Sequence, residues 1–382
     1  MTFEAVEQAH RREWAAVLAA TMRLTRDFDE AEDAVQEAFE SAMAVWPEEG
    51  VPPNPGGWLT TTAKRKALDR MRRADALARK LPLLVVPDGS PEVIEDQRLR
   101  LIFMCCHPAL ALNARVALTL RLVCGLPTSE IAHLFLVPQA TMAARLTMAK
   151  KKIRSAGIPF QVPDDLTSRL PAVLAVVYLV YTAGSTDRAL ELATLLESLL
   201  PSPEVFGLLA LIRLSVARSA ARFVDGKPVP LAAQDRSLWD HEAIAAALPL
   251  VEKALRGGGP YALQAAIAAL HASAPTYADT DWPQILALYD ELVAVYPSPT
   301  AALGRAVALA EIDGPAAGLA EADRLSVDLG HYYLLHAARA EFLRALGRCP
   351  EAAEADRLAA SLAPTPAEAA FFRERVDSRA RP

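Results

Sequence analysis

Two groups of side chains in this sequence have types and spacings suited to gripping charged partners. The first is cationic. Lys64, Arg65, Lys66, Arg70, Arg72 and Arg73 crowd one short stretch behind Trp58 and the hydroxyls of Thr60, Thr61 and Thr62, with Asp69 as the only acid before Asp75. Cations track phosphates while rings and small polar groups meet bases, so this mixture suits melted nucleic acid. A basic amphipathic helix can also lie on a membrane, but the apolar side here is mostly Ala and Met, which argues against insertion. A second cationic run, Lys150, Lys151, Lys152 and Arg154, closes the segment 126–154. The other group is anionic. Residues 27–49 carry nine acids and no base. That face repels DNA and suits either solvent or a protein partner.

Other clusters invite enzymatic readings that their spacing does not support. Cys105, Cys106 and His107 are adjacent, whereas tetrahedral zinc prefers ligands two to four residues apart. Buried thiols followed by a helix-ending His-Pro fit better. Asp235, Arg236, Trp239, Asp240 and His241 could pass for a catalytic cluster, but an Arg–Asp pair beside a buried Trp is the expected outcome. Tyr178, Tyr181, Gly184 and Ser185 suit a groove or a core equally. There is no Gly-rich phosphate loop, nucleophile elbow or HExxH run, so neither an enzyme nor a cofactor is expected.

The elements that must position these charges are helices. Ala and Leu dominate, Gly is sparse, and alternating β-branched runs are nearly absent, so the fold class is all-α. Apolar spacing predicts helices over 3–25 and 29–46, the second closed by Pro47, with Phe28, Ala31, Val35, Ala38, Phe39 and Ala42 facing inward. Asp29 and Glu32 can form a capping pair. Trp58 opens a third helix, with Leu59, Ala63, Ala67, Leu68 and Met71 toward the core. Three prolines and a Gly break the pattern over 81–93, a linker. Helices resume over 94–106 and 113–124. Thr128 is placed to cap a short helix with Ile131, Leu134 and Phe135 inward, and Pro138 starts another that buries Met142, Leu146, Ala149 and Ile153. Two short helices around an apolar turn, the second basic, describe a helix-turn-helix whose second helix reads DNA.

The charge balance agrees with that division. The whole chain carries −6, but residues 1–160 carry a net +2 and the remainder −8. No apolar signal core and no membrane-length apolar stretch is present, and the four cysteines form no disulfide pattern, so a reducing cytoplasm and no membrane partner are expected.

An acidic helix, a basic helix led by Trp, a Pro-rich linker and a helix-turn-helix, in this order, resemble the extracytoplasmic-function sigma factors of bacterial RNA polymerase. Residues 29–39 look like the region 2 helix that docks on polymerase, Trp58–Arg73 like the part that opens and reads the −10 element, and 126–154 like region 4, which reads the −35 element. The resemblance implies core polymerase and promoter DNA as partners. Asp29, Glu32, Asp33, Gln36 and Glu37 would meet polymerase. Trp58, Thr62, Lys64, Arg65, Lys66, Arg70 and Arg73 would meet the −10 strand, and Gln139, Thr141, Arg145, Lys150 and Lys151 the −35 duplex. Arg65 stands where the family usually has Asn, which bears on base preference. The outward residues Ala140, Ala144, Thr147 and Lys151, flanked by Thr141 and Met148, offer few groups to base edges, so DNA shape should carry much of the −35 readout.

The expected domains are 1–80 (region 2), 94–156 (region 4) and a helical part over 166–382, with linkers at 81–93 and 157–165. The runs FMCCHPAL (103–110) and QDRSLWD (234–240) and the long helical C-terminal half resemble sigma factors with a tetratricopeptide-like extension. The hexapeptide AEADRL at Ala320–Leu325 returns at Ala353–Leu358, an offset of 33. Helix pairs repeating every ~34 residues are the tetratricopeptide signature. Such stacks offer a concave surface to a peptide or partner domain, or serve as a spacer, or dock back on the DNA-binding surfaces. A helix-turn-helix regulator with a tetratricopeptide sensor is the alternative reading.

Overall fold

A computed structural model describes residues 2–77, 97–135, 137–224 and 226–377. Among them are nineteen α-helices and one ribbon of two short strands. Contacts divide the chain into two compact units, 1–192 and 193–382.

In the first unit, α1 (Thr2–Thr25), α2 (Phe28–Glu49) and α3 (Pro55–Leu77) pack against one another. The inward stripe of α2 is buried as its spacing predicts, and Trp46 extends it. The expected Asp29–Glu32 capping pair is not formed. Asp27 is the cap, its carboxylate accepting from the N–H groups of Asp29 (2.8 Å) and Glu30 (3.2 Å). The helix also runs through Pro47 to Glu49, and Gly50 N–H closes it on the Trp46 carbonyl. In α3 the Asn54 side chain accepts from Gly57 N–H, so the helix starts at Pro55, ahead of Trp58. Leu59, Ala63 and Ala67 are buried, Leu68 is half-buried and Met71 is exposed, a narrower inward stripe than expected.

The expected linker at 81–93 lies outside the described residues. Beyond it come α4 (Gln97–Cys105) and α5 (Leu112–Leu118), the latter continued by a turn of π-helix over Thr119–Val123. The helix-turn-helix follows as α6 (Thr128–Leu134) and α7 (Gln139–Ser155). Thr128 is the first helical residue of α6 rather than its cap, and Pro127 holds the cap position without a side-chain bond. All four residues expected inward on α7 are buried. Next, α8 (Leu166–Thr182) begins before Pro171 because Asp165 accepts from Ser168 N–H. It packs on α4 and α5, and Arg169 donates to the Phe103 carbonyl. The first compact unit thus continues past residues 157–165 to Leu192.

The chain continues through α9 (Thr186–Leu199) into the second unit. There, α10 (Pro203–Ala217), α11 (His241–Leu255) and α12 (Pro260–Ser273) pack together. Gly207 lets α10 approach α12, because an added Cβ would lie 2.6 Å from the Ala262 nitrogen. Glu204 accepts from Tyr261 and Ala262 N–H at 3.0 and 3.1 Å, satisfying the open start of α12. α10 stops at Ala217 and does not run on to Phe223. A 3₁₀ turn and the hairpin β1 (Phe223–Val224) with β2 (Lys227–Pro228) take its place. Gly226, at φ 75, sits in that turn.

Serial packing follows: α13 (Trp282–Val295), α14 (Pro299–Asp313), α15 (Pro315–Arg324), α16 (Ser326–Leu329), α17 (Tyr333–Ala345), α18 (Cys349–Leu362) and α19 (Pro366–Asp377) touch mainly their neighbours in sequence. Both AEADRL copies bury their central Ala, Ala322 and Ala355.

Candidate nucleic-acid interface

The acids of α2 and the bases of α3 meet along one seam. Arg70 lies 2.7 Å from Asp33, 2.8 Å from Glu37 and 3.7 Å from Glu30, and Lys66 lies 3.9 Å from Glu37. Hydrogen bonding to Asp33, with Glu37 adding its charge, holds the Arg70 guanidinium above its usual range. Lys64 and Arg65 point away from the seam. Both are exposed and neither has an ion-pair partner among the described residues. Arg72 is exposed near Asp69. Trp58 is half-buried with its ring edge-on to buried Trp46 at 5.6 Å, and Thr62 is half-buried beside it on α3. The Arg73 side chain lies outside those described. The basic helix is therefore two-sided: one side fastens α2, and the other presents cations to solvent.

α7 divides the same way. Gln139, Thr141, Arg145 and Lys151 are exposed, together with Ala144, Met148 and Lys152. Lys150 is not with them. Its ammonium lies 2.9 Å from Asp29 and bonds Glu32 as well, leaving the side chain 13% exposed. Burial opposes that charge, yet Glu32 and Asp29 hold the ammonium above the usual lysine range. In return the Lys150 hydrogen bond, with Arg154 nearby, draws the Asp29 carboxyl below its ordinary range. Arg154 bonds Asp27 at 3.0 Å and Asp29 at 3.3 Å. Arg121, on the π-turn, donates to Glu32 at 2.8 Å and to the Leu126 carbonyl at 3.1 Å. Of the five α2 residues singled out in the sequence, Asp29, Glu32, Asp33 and Glu37 are paired with cations. Gln36 is exposed and lines a polar cavity of about 310 Å³ between α2 and α7.

Sequence reasoning missed Asp27 and Arg121 as members of this network. Asp27 carries an N-cap signal, but nothing in local spacing marks the partner of Arg121. Glu32 did carry a sign: it falls on the Phe28–Val35–Phe39 stripe, where an acid must find a buried cation.

The remaining clusters are structural in geometry. Cys105 and Cys106 are buried, and burial pushes the Cys106 thiol up to about 11. His107 accepts from Ala109 N–H. Among the described residues no group of His, Cys, Asp and Glu could hold a metal ion. The expected Arg236–Asp pairing is absent. Arg236 donates to the His271 and Ala274 carbonyls and stacks on buried Trp239 at 4.5 Å, while Asp235 and Asp240 cap the turns that follow them. Gly184 and Ser185 line a cavity of about 530 Å³ with residues of α6 and α9, whereas Tyr178 and Tyr181 contact each other.

Residues 10–76 match Sigma-70 region 2, and residues 100–153 match Sigma-70, region 4. The chain belongs to the sigma-70 family. It is 40% identical over 390 residues to an uncharacterized protein of Rhizobium meliloti, covering 94% of this chain and 92% of that one. Residues 169–255 match a family of unknown function, DUF6596, which accounts for part of the extension. No solved structure matches. Region 2 thus comprises α1–α3, and region 4 comprises α4–α7 with its helix-turn-helix. As a sigma-70 protein the chain is a DNA-binding subunit for transcription initiation by RNA polymerase. No described helix is long and apolar enough to cross a membrane.

Proposed function

We propose that this sigma-70 protein is of the extracytoplasmic-function type. In this reading it docks on core polymerase through Asp29, Glu32, Asp33, Gln36 and Glu37, captures the melted −10 strand beside Trp58 and Thr62, and contacts the −35 duplex through α7. The observation that carries the reading is the segregation of charge in the first unit. One helix of region 2 holds the acids, and the exposed cations Lys64 and Arg65 on α3 and Arg145 and Lys151 on α7 lie outside the ion-paired seams.

The roles of the cations follow from their surroundings. Lys64 and Arg65 are the members of the α3 set open to a strand, and Arg73 joins them by its place in the sequence. Lys66 and Arg70 steady α2 under that strand. On α7, Gln139, Thr141, Arg145 and Lys151 are open to DNA, with Lys150 reaching it only after leaving Asp29 and Glu32. Base-edge donors remain few, which supports shape readout at −35.

The helix pairs of residues 280–376 support a tetratricopeptide-like surface for a peptide or partner domain. A cavity of about 530 Å³ in the second unit, lined by Tyr332, Tyr333, Phe371, Phe372 and Arg222, supports that reading. A plain helix-turn-helix regulator would need neither the acidic α2 nor the exposed cations of α3.

Run-off transcription with purified core polymerase on a genomic promoter pool tests the reading. Discrete transcripts dependent on this chain are expected. Duplex binding without any polymerase-dependent transcript would overturn it in favour of the regulator. Removing residues 201–382 in the same assay assigns the extension: loss of transcripts means a required element, gain means a brake, and no change excludes both.

A further inference from the structure

One segment of the second unit departs from serial packing. After α10 the chain runs out as the ribbon β1–β2, and β2 comes to rest on α19, the last helix. Lys227 of the ribbon bonds Glu374 of α19 at 2.8 Å, 147 residues along the chain. The segment that makes this crossing supplies one wall of the cavity of about 530 Å³, and α14, α17 and α19 supply the others.

The make-up of the cavity is that of a small-molecule site, which is mostly apolar, about 300–1,000 Å³ in volume and furnished with a few placed polar groups. Tyr332, Tyr333, Phe372 and Phe371 form a row of rings, each edge-on to the next, with centroids 5.9, 6.3 and 5.2 Å apart. Phe223 of β1 and Leu334 of α17 line the same cavity and are left 52% and 40% exposed. Together they make an uncovered apolar patch at a concave place, where a ligand can cover it.

Of the four charged residues lining the cavity, three are engaged. Glu341 pairs with Arg344 and Arg375, and Arg375 also lies 3.6 Å from buried Asp356. Glu368 accepts from the Tyr333 hydroxyl at 2.9 Å and from the Thr365 hydroxyl at 2.7 Å. Arg222 is the fourth. It is exposed and has no ion-pair or side-chain hydrogen-bond partner among the described residues. Burial and Glu368 push the Tyr333 phenol up, and the Arg222 charge opposes them, so this cation acts on the ring row itself.

We infer that the cavity binds a small organic anion with a flat apolar body, of the aromatic carboxylate class, the body lying on the row of rings and the carboxylate meeting Arg222. The chemistry of both ends is direct. Aromatic side chains give a flat body stacked and edge-on contacts. A guanidinium grips a carboxylate through charge-assisted, often paired, hydrogen bonds. Glu368 sets the orientation, because its charge keeps an anionic head away from the Tyr333 hydroxyl and leaves Arg222 as its seat. The inference goes beyond the peptide surface proposed for the stack, and it requires neither polymerase nor DNA.

The test uses the full chain and two probes, naphthoate and naphthamide, which share a shape and differ in charge. Calorimetric titration at neutral pH should show one naphthoate per chain, bound about tenfold tighter than the amide, the size of one hydrogen bond to a charged group. Arg222→Gln should erase that preference by weakening naphthoate about tenfold while leaving the amide unchanged, and Arg222→Lys should restore part of it. Arg256→Gln, an exposed cation outside the cavity lining, should change neither affinity.

Thr300→Trp fills the space from an exposed position on the cavity wall and should weaken both probes about tenfold or more. Phe223→Ser removes an exposed ring from the same lining and should weaken both about fivefold, so the result does not depend on how Thr300→Trp folds. Equal affinities for the two probes in the wild-type chain, or a preference that survives Arg222→Gln, would overturn the anion seat. Undiminished binding in Phe223→Ser and Thr300→Trp would overturn the cavity as its place. Absence of saturable naphthoate binding would overturn the inference as a whole. Failure of the sigma reading would show separately, as absence of run-off transcripts from the wild-type chain, in an assay that contains no ligand.

Discussion

The two units are built from the same kind of helix but distribute charge differently. In the first, the principal ion pairs join elements far apart in sequence: Lys150 meets Asp29 across 121 positions, and Arg70 meets Asp33 across 37. In the second, most pairs are between neighbours. Arg305 bonds Asp290, Arg339 bonds Asp323 and Arg344 bonds Asp356, at separations of 15, 16 and 12. Neighbour pairing suits a serial stack, where each helix is stabilised by those beside it. Distant pairing ties together surfaces that can also meet other partners. The contrast explains why the first unit presents segregated charged surfaces while the second shows mainly how it holds together.

The strongest way to break the comparison is to strike a distant contact in the first unit. Gly125→Val puts a branched side chain at φ 70 and against His10 and Trp14. Backbone strain and overpacking together should cost about 3 kcal/mol. Urea denaturation followed by Trp fluorescence reads it, and an unchanged midpoint would mean that the α1 contact is dispensable.

A second comparison lies inside the repeat. Asp323 and Asp356 are the same residue of the two AEADRL copies, yet Asp323 is half exposed and Asp356 is fully buried against Arg344 and Arg375. Asp356→Ala removes the buried partner of Arg344 and Arg375, leaving them only the half-exposed Glu341, and should cost about 2.5 kcal/mol. Asp323→Ala should cost under about 0.5 kcal/mol. Equal costs, measured by thermal or urea melts, would refute the view that position in the stack sets the value of each pair.

Acid sharpens the contrast by a smaller margin. Burial, with Arg218 and Arg236 nearby, lowers the His271 imidazole to about 4. The unfolded chain then binds the proton more readily than the fold between about 6.5 and 4. Stability from the neutral ring is complete above that window and falls as pH drops through it, by roughly 2 kcal/mol. His271→Gln should flatten that decline in a pH series of urea midpoints. A decline as steep as wild type would assign the acid sensitivity to other groups.

Much of the first unit was legible because periodicity reports burial directly. The inward stripes of α2 and α7 follow from apolar residues three and four apart, and both are buried. The helix-turn-helix and the order of acidic and basic helices followed from the same reading. Partner choice among charges was not legible. Lys150 and Lys151 are adjacent and chemically identical, but only Lys150 lies next to the Leu146–Ala149–Ile153 stripe, and its acids come from a helix over a hundred residues earlier. A helix end was misplaced where an unexpected cap won, as with Asp27 before α2. The hairpin after α10 was missed although Asp225-Gly226 is a turn signal, because two-residue strands carry no readable alternation.

The central claim is that α2 grips polymerase while the exposed cations of α3 grip DNA, and co-migration with core polymerase tests it most directly. Asp33→Lys with Gln36→Lys reverses the exposed charge of α2, and Lys64→Ala with Arg65→Ala removes the open cations of α3. The account predicts that the α2 variant loses association with core, while the α3 variant co-migrates like wild type and fails to open promoters. An α2 variant that still binds core as wild type does would contradict it.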